Sequence, residues 1–349
     1  MRAAVVESLG EIAVREVADP ELISGSVLVR VEACAVCGSD IRIFRKGDPR
    51  ASLPRIIGHE IAGVVERVDA ETRALAVGDR VTIAPGHGCG RCVYCRTGRG
   101  NVCVDPRPSV GYASSGGFAQ YIVPPRNVVE NGFVNRIPDG LSFEDASMAE
   151  LLACCINGQE RAAVGPGDRV LVMGAGPAGC MHVELARARG ASRVMLTQRS
   201  TARLALAAQR FSPDVVIQAE GDELVRRVQE ETDGLGVDVV IVAAPSAQAQ
   251  ETALRLAAPR GRVSLFGGLP RDNHTITIDA NRIHYLEVSL TGASSSLGRQ
   301  NREALELIAT GRIHASRYIT HRFGLEDTPA AFAAVEGKEA IKAVVFPWR

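Results

Sequence analysis

VLVMGAGPAG, residues Val170–Gly179, joins an apolar strand to a glycine-rich turn, and a helix-spaced segment, Pro177–Arg189, grows out of that turn. The glycines fall in the pattern G-x-G-x-x-G. On its own the pattern is weak. Between a strand and a helix it marks the first turn of a dinucleotide-binding βαβ unit. Gly174 permits the tight turn and Gly176 lets a pyrophosphate approach the backbone. Gly179 lets the helix pack on the strand, and Pro177 and Ala178 open a helix whose N-terminus favours anions. Downstream, apolar runs at Ser192–Gln198, Val215–Ala219, Val237–Ala244 and Gly261–Gly268 alternate with helix-spaced segments such as Thr201–Phe211. Alternation of this kind predicts an α/β, doubly wound parallel sheet of the Rossmann type.

The end of the second strand discriminates between nucleotides. A carboxylate there would bind the ribose 2′-hydroxyl of NAD. This chain has Gln198, Arg199 and Ser200, with Arg203 one helical turn on. Guanidinium groups welcome a 2′-phosphate, which predicts NADP in preference to NAD. Gln198 remains able to bind a ribose hydroxyl, which leaves NAD as the alternative.

The first 150 or so residues read differently. Ser26–Ala33, Ile61–Val68 and Arg80–Ala84 are short apolar or alternating runs bounded by Gly, Pro and Asp, so a β-rich domain is expected. Within it Cys89, Cys92, Cys95 and Cys103 are spaced C-x2-C-x2-C-x7-C. Four thiolates complete a tetrahedral zinc and leave no open position, so the loop reads as a structural zinc site. A disulfide pair and an iron–sulfur cluster are the alternatives. Metal binding suits a reducing compartment better than disulfides do. No apolar leader opens the N-terminus and no run approaches a membrane span, which predicts a cytoplasmic protein. The chain has 349 residues, 46% hydrophobic and 23% charged, and a formal net charge of zero. That length suits two domains, and the missing basic surplus argues against nucleic-acid or membrane partners.

The remaining motifs are CGSD at Cys37–Asp40, GHE-x2-G-x-V at Gly58–Val65, VGDRV at Val77–Val81 and GGFAQY at Gly116–Tyr121. With the cysteine loop and the glycine turn, they give the chain a resemblance to the zinc-dependent medium-chain dehydrogenase/reductase superfamily. The resemblance runs over nearly the whole length, closest to the polyol (sorbitol) and threonine dehydrogenase-like branch. It implies a β-rich GroES-like catalytic domain, residues 1–153 and 293–349, with the Rossmann domain, 154–292, inserted. It implies a catalytic zinc on Cys37 and His59, with Glu150 as third residue and Glu60 as a carboxylate that ligates directly or exchanges with water. Asp40 would steady the His59 imidazole, and Ser39 would relay the alcohol proton. Where many relatives carry a relay histidine this chain has Arg42, expected to bind a cofactor or substrate phosphate while the proton leaves through water.

The implied activity is hydride transfer between a polyol, cyclitol or secondary alcohol (or the matching ketone) and NADP(H), with two zinc ions per chain in a homodimer or homotetramer. The active site is expected between the domains. An NAD-dependent threonine or amino-alcohol dehydrogenase, an alkene or quinone reductase and a non-catalytic NADP(H)-sensing protein are the competing readings. His87, His182, His274, His284, His314 and His321 read as structural, and Cys154, Cys155 and Cys180 as buried thiols. Ser114, Phe118 and the Ser294–Ser296 loop are expected to line the substrate cleft.

Overall fold

The computed structural model describes all 349 residues, Met1–Arg349. Two compact units are present: Met1–Ala153 with Ser295–Arg349, and Cys154–Ser294.

The second unit is built on six parallel strands in the spatial order Val215–Ile217, Arg193–Thr197, Arg169–Met173, Val237–Val242, Ala257–Leu265 and Ser289–Gly292. Numbered along the chain, that order is 3-2-1-4-5-6, the doubly wound arrangement with its switch point beside the strand that feeds the glycine turn. Val170–Val172 and Val239–Val242 are fully buried, as expected of parallel strands covered on both faces. The fifth strand differs from its sequence prediction. It starts at Ala257, passes an irregularity where Arg260 takes a positive φ of 59°, and ends at Leu265. Gly267 lies past the strand end: its N–H donates to the Val242 carbonyl at 2.8 Å, which turns the chain out of the sheet.

The first unit is organised around the strand Val27–Ala35, whose alternate residues Val27, Val29 and Val31 are fully buried. Glu60–Val68 pairs antiparallel along it, and Arg80–Ile83 and Val134–Arg136 extend the sheet on that side. The opposite edge is taken by Lys342–Phe346, followed by Ile319–Gly324, so the last segment of the chain completes a sheet that the first segment begins. Phe44, Phe118 and Phe332 stack edge-on in the core beneath. Phe118 is fully buried there, so it does not line a cleft; its ring packs beside Gly58.

The glycine of GHE-x2-G has a physical reason in this sheet. A Cβ on Gly63 would stand 2.2 Å from the backbone oxygen of Arg30 on the neighbouring strand. Because the obstacle is backbone, Gly63→Ala is expected to cost at least the roughly 1–3 kcal/mol typical of overpacking. Urea denaturation of the variant against the parent checks this; an unchanged midpoint would contradict it.

Candidate active site

Cys37 ends the turn after Val27–Ala35 and sits at the N-cap of the helix Gly38–Lys46. Asp40, in the first turn of that helix, folds back: its Oδ2 accepts from the Cys37 backbone N–H at 2.9 Å. Its Oδ1 faces His59 Nδ1 at 3.2 Å, and both side chains are buried. His59 is delivered by Gly58, which takes φ +98°; a Cβ there would meet Cys34 Sγ at 2.8 Å and the Phe118 ring at 2.9 Å. The other imidazole nitrogen, Nε2, lies 3.1 Å from Ser39 Oγ. Cys37, Ser39 and Asp40 from one turn and His59 from another segment thus form one cluster.

Glu60 follows His59 at the start of its strand. One donor atom each from Cys37, His59 and Glu60 falls in a group spanning no more than 4.8 Å. Glu150 is not in that group. It is buried at the head of the helix Ala149–Arg161, and its charge reaches Lys342. A thiol, an imidazole and a carboxylate in this proximity are the donor chemistry of zinc. An imidazole that gives Nε2 to a metal carries its proton on Nδ1, the nitrogen that Asp40 faces. Asp40 Oδ1 and His59 Nδ1 are otherwise left buried without a well-angled hydrogen bond. These residues fit the ion.

The four-cysteine loop fits one as well. Cys89 Sγ and Cys95 Sγ are 3.9 Å apart, and Cys92 Sγ and Cys103 Sγ 3.7 Å. Tetrahedral zinc with bonds of about 2.3 Å places its sulfurs about 3.8 Å apart. Backbone N–H groups point at the sulfurs: Cys92 N to Cys89 Sγ at 3.3 Å, and Cys89 N and Asp105 N to Cys103 Sγ at 3.4 Å. The N–H of Cys95 helps draw the Cys92 thiol down to about 6, while burial pushes Cys95 up to about 12. Without a cation the four sulfurs do not all ionise, and a divalent ion removes that conflict.

In the other unit the glycine turn makes a cradle. A Cβ on Gly179 would stand 1.7 Å from the Gly174 carbonyl oxygen, so helix and turn touch there. Gly174 has φ +113°, whereas Gly176, the N-cap of Pro177–Ala188, opens onto free space within 4 Å. Open space at the second glycine is what an approaching pyrophosphate requires. At the end of Arg193–Thr197, Gln198 is half-buried and Arg199 and Ser200 are exposed. Arg199 Nε lies 3.6 Å from Glu220. Arg203 is half-buried and interacts electrostatically with Cys180 of the glycine-turn helix.

Known proteins resemble this chain over nearly its whole length. Residues 24–134 match the alcohol dehydrogenase GroES-like domain and residues 177–310 the zinc-binding dehydrogenase domain. Sorbitol dehydrogenase of Bacillus subtilis is 31% identical over 354 aligned positions, covering all of this chain and 98% of the relative. L-idonate 5-dehydrogenase of Vitis vinifera is 33% identical, over 93% of this chain and 89% of that one. A zinc-binding dehydrogenase of Sinorhizobium meliloti, solved bound to NADP, superposes with a TM-score of 0.90 at 32% identity over 99% of both chains. The chain belongs to the zinc-dependent medium-chain dehydrogenase/reductase family. It is a dehydrogenase of the zinc-type alcohol and polyol kind, acting on small-molecule alcohols with a nicotinamide nucleotide.

Four residues at or near this dehydrogenase's candidate site, Lys342, Tyr112, Arg50 and Asp48, were not singled out from sequence. Lys342, near the C-terminus, bonds both oxygens of Glu60. Tyr112 packs against the His59 ring with centroids 5.3 Å apart, and Arg50 lies over Tyr112 at 4.3 Å. Asp48 holds Arg50 through two 2.9 Å bonds and lies 3.5 Å from Arg42. The Arg50 guanidinium keeps the Asp48 carboxyl down at about 2. Arg42 is thereby drawn toward an internal carboxylate. A lone lysine in the apolar run Ile341–Phe346 was the available signal for Lys342. Tyr112 and Arg50 had none.

Asp40 touches a candidate ligand and the backbone of another, so Asp40→Asn tests whether it orients them. Turnover is expected to fall about 10–100-fold, the range for loss of a partner behind a metal-binding histidine. Steady-state kinetics on any accepted alcohol, with circular dichroism to verify folding, measures this. Wild-type turnover in the variant would remove Asp40 from the site.

Proposed function

We propose that this dehydrogenase oxidises a polyol, cyclitol or secondary alcohol, or reduces the matching ketone, using NADP(H) and two zinc ions per chain. The catalytic ion is held by Cys37 and His59, with Glu60 and Glu150 as the nearby carboxylates. The structural ion is held by Cys89, Cys92, Cys95 and Cys103. The observation that carries this reading is the gathering of Cys37, His59 and Glu60 donors within 4.8 Å. The sorbitol and L-idonate dehydrogenases among the relatives favour a polyhydroxylated substrate.

Bound zinc would supply the Lewis acidity that makes an alcohol proton available near neutral pH, and a bound nicotinamide nucleotide would supply the hydride acceptor. The chain's residues do the rest. Asp40 fixes the His59 tautomer. Ser39 Oγ, 3.1 Å from His59 Nε2, is placed to take the alcohol proton and pass it on. Arg42 has no basic form at working pH and does not continue a relay, so the proton leaves through water. Gly176 admits the pyrophosphate, and the N-terminus of Pro177–Ala188 meets its charge. Arg199 binds the 2′-phosphate, with Ser200 and Gln198 beside it and Arg203 behind. In this reading the chain works as a homodimer or homotetramer in the cytoplasm.

A screen at 340 nm of polyols, cyclitols and secondary alcohols, run with NADP and NAD in parallel, tests the activity. Oxidation of at least one polyol is expected, and inertness toward all three classes would sink the assignment. Elemental analysis should find two zinc ions per chain in the parent and one in Cys37→Ser; a single ion in the parent would contradict the two-site reading. Arg199→Ala should raise the KM for NADP about tenfold or more and leave that for NAD nearly unchanged, because only the former loses a charge-assisted bond. An equal effect on both nucleotides would remove Arg199 from 2′-phosphate recognition.

A further inference from the structure

Arg50 sits one aromatic layer away from the candidate metal group. The His59 ring packs against Tyr112, with centroids 5.3 Å apart, and the Arg50 guanidinium lies over the Tyr112 ring at 4.3 Å. Tyr112 is buried, and its phenol interacts with Cys37 and Ser39 as well as with Arg50. The ring therefore makes a floor that runs from the candidate ligands to a cation. Asp48 fixes that cation from behind. Its Oδ1 accepts from the Arg50 backbone N–H at 3.0 Å and from Nε at 2.9 Å, and its Oδ2 accepts from Nη2 at 2.9 Å. A guanidinium has five N–H donors, and Asp48 takes two of them. The side chain is 55% exposed, so its remaining edge is open to a solute. Charge around it does not balance. Asp48 is shared with Arg42 at 3.5 Å, and Arg55 donates to the carbonyls of Ser52 and of Ala113, beside Tyr112, and not to a carboxylate.

We propose that Arg50 determines substrate choice by binding the anionic end group, carboxylate or phosphate, of a polyhydroxylated alcohol whose hydroxyl is presented at Cys37 and His59, with Arg42 adding a second positive charge. The inference rests on the reading of the chain as a zinc-dependent polyol dehydrogenase, and it narrows the substrate from neutral polyols to sugar acids or alditol phosphates. A guanidinium edge matches the two oxygens of either oxyanion, and the surplus of positive charge favours one arriving. Because Asp48 and Tyr112 already hold the side chain, little of its freedom is lost on binding. An anchor at the far end of the carbon chain also fixes which hydroxyl reaches the metal-binding group. A merely structural arginine, clamping its loop to Tyr112, would support neutral and anionic alcohols alike.

The test assays the full, zinc-loaded chain on matched alcohols at 340 nm: glucitol against gluconate and glucitol 6-phosphate, and ribitol against ribonate and ribitol 5-phosphate. At least one anionic member is expected to exceed its neutral partner about tenfold or more in kcat/KM, as a charge-assisted fork allows. The arm that does so, carboxylate or phosphate, identifies the end group. Arg50→Gln should lower that anionic-to-neutral ratio about tenfold or more, chiefly through the KM of the anion. Arg50→Lys, which keeps the charge without the fork, should lower it about threefold, and it carries the test if circular dichroism shows the glutamine variant unfolded. Calorimetric titration of the preferred anion into protein saturated with reduced nucleotide, a complex that cannot oxidise it, should show the same loss of affinity. Neutral polyols oxidised as well as their anionic partners, or an Arg50→Gln effect equal on both, overturns the proposal and leaves the dehydrogenase reading standing. Inertness of every alcohol, neutral and anionic, with either nucleotide defeats that reading and the proposal with it.

Discussion

Strand Val27–Ala35 is flanked by Glu60–Val68 on one side and Lys342–Phe346 on the other, and the chemistry of the site follows from those two pairings. The strand runs on to Cys37. Its first partner begins beside His59, and its second begins at Lys342, 282 positions from Glu60. Side chains that share one ion pair and one candidate metal group are thus supplied by chain segments that only the sheet brings together. A slip of one residue in either pairing would turn Glu60 or Lys342 to the opposite face. Glycines make room for this arrangement. Gly63 admits the Arg30 carbonyl of the neighbouring strand, where any side chain would force the strands apart, and Gly58, at φ +98°, admits the Cys34 and Phe118 side chains.

Burying Asp40, His59, Glu60 and Lys342 together is costly, and a fold seeking stability alone would not do it. Hydrophobic replacement of a buried ion pair is often neutral or stabilising, whereas removal of one partner commonly costs about 3–5 kcal/mol. The Glu60–Lys342 pair is therefore weak evidence of stabilisation and strong evidence of constraint. Each charge is tied to a backbone group of the segments that carry the candidate ligands or to another charge: Asp40 to the Cys37 N–H and His59, Lys342 to Val36 and Glu60. The low dielectric that makes these groups expensive also makes their electrostatics strong. That environment would suit the proposed chemistry, in which negative charge develops on an oxygen.

Features whose physics is local were legible in the sequence. The glycine turn and the four-cysteine loop each need only residue type and spacing, and each lies in one continuous segment. The alternation of strands and helices conveyed five strands of the parallel sheet; it missed the edge strand Ser289–Gly292 and misplaced the start of Ala257–Leu265, where an irregularity at Arg260 carries no apolar signature. Contacts between distant segments were harder. Lys342 interrupts an apolar run, and a charge there reads as solvent-facing until the sheet shows an acid opposite it. Phe118 reads as an apolar residue near the site, but the Phe332 ring from the C-terminal segment draws it into the core. Glu150 was placed by resemblance alone, and the three-residue donor group does not contain it.

Nucleotide choice turns on a competition between two weak anchors and one strong ligand. Arg199 is 84% exposed, and Glu220, a partner of opposite charge, is 3.6 Å away. An exposed pair of that kind is worth about 0–1 kcal/mol and resists displacement little. Ser200 begins the eleven-residue helix Thr201–Phe211 without a side-chain cap on its N–H groups. A 2′-phosphate arriving there would exchange one loose carboxylate for a doubly charged group and meet the positive end of a helix as well. The ribose hydroxyl of NAD could gain a bond from Gln198 but would leave Glu220 free to keep Arg199. The proposed choice of NADP over NAD rests on this balance of charge at the strand end, and Glu220 is the residue that opposes it.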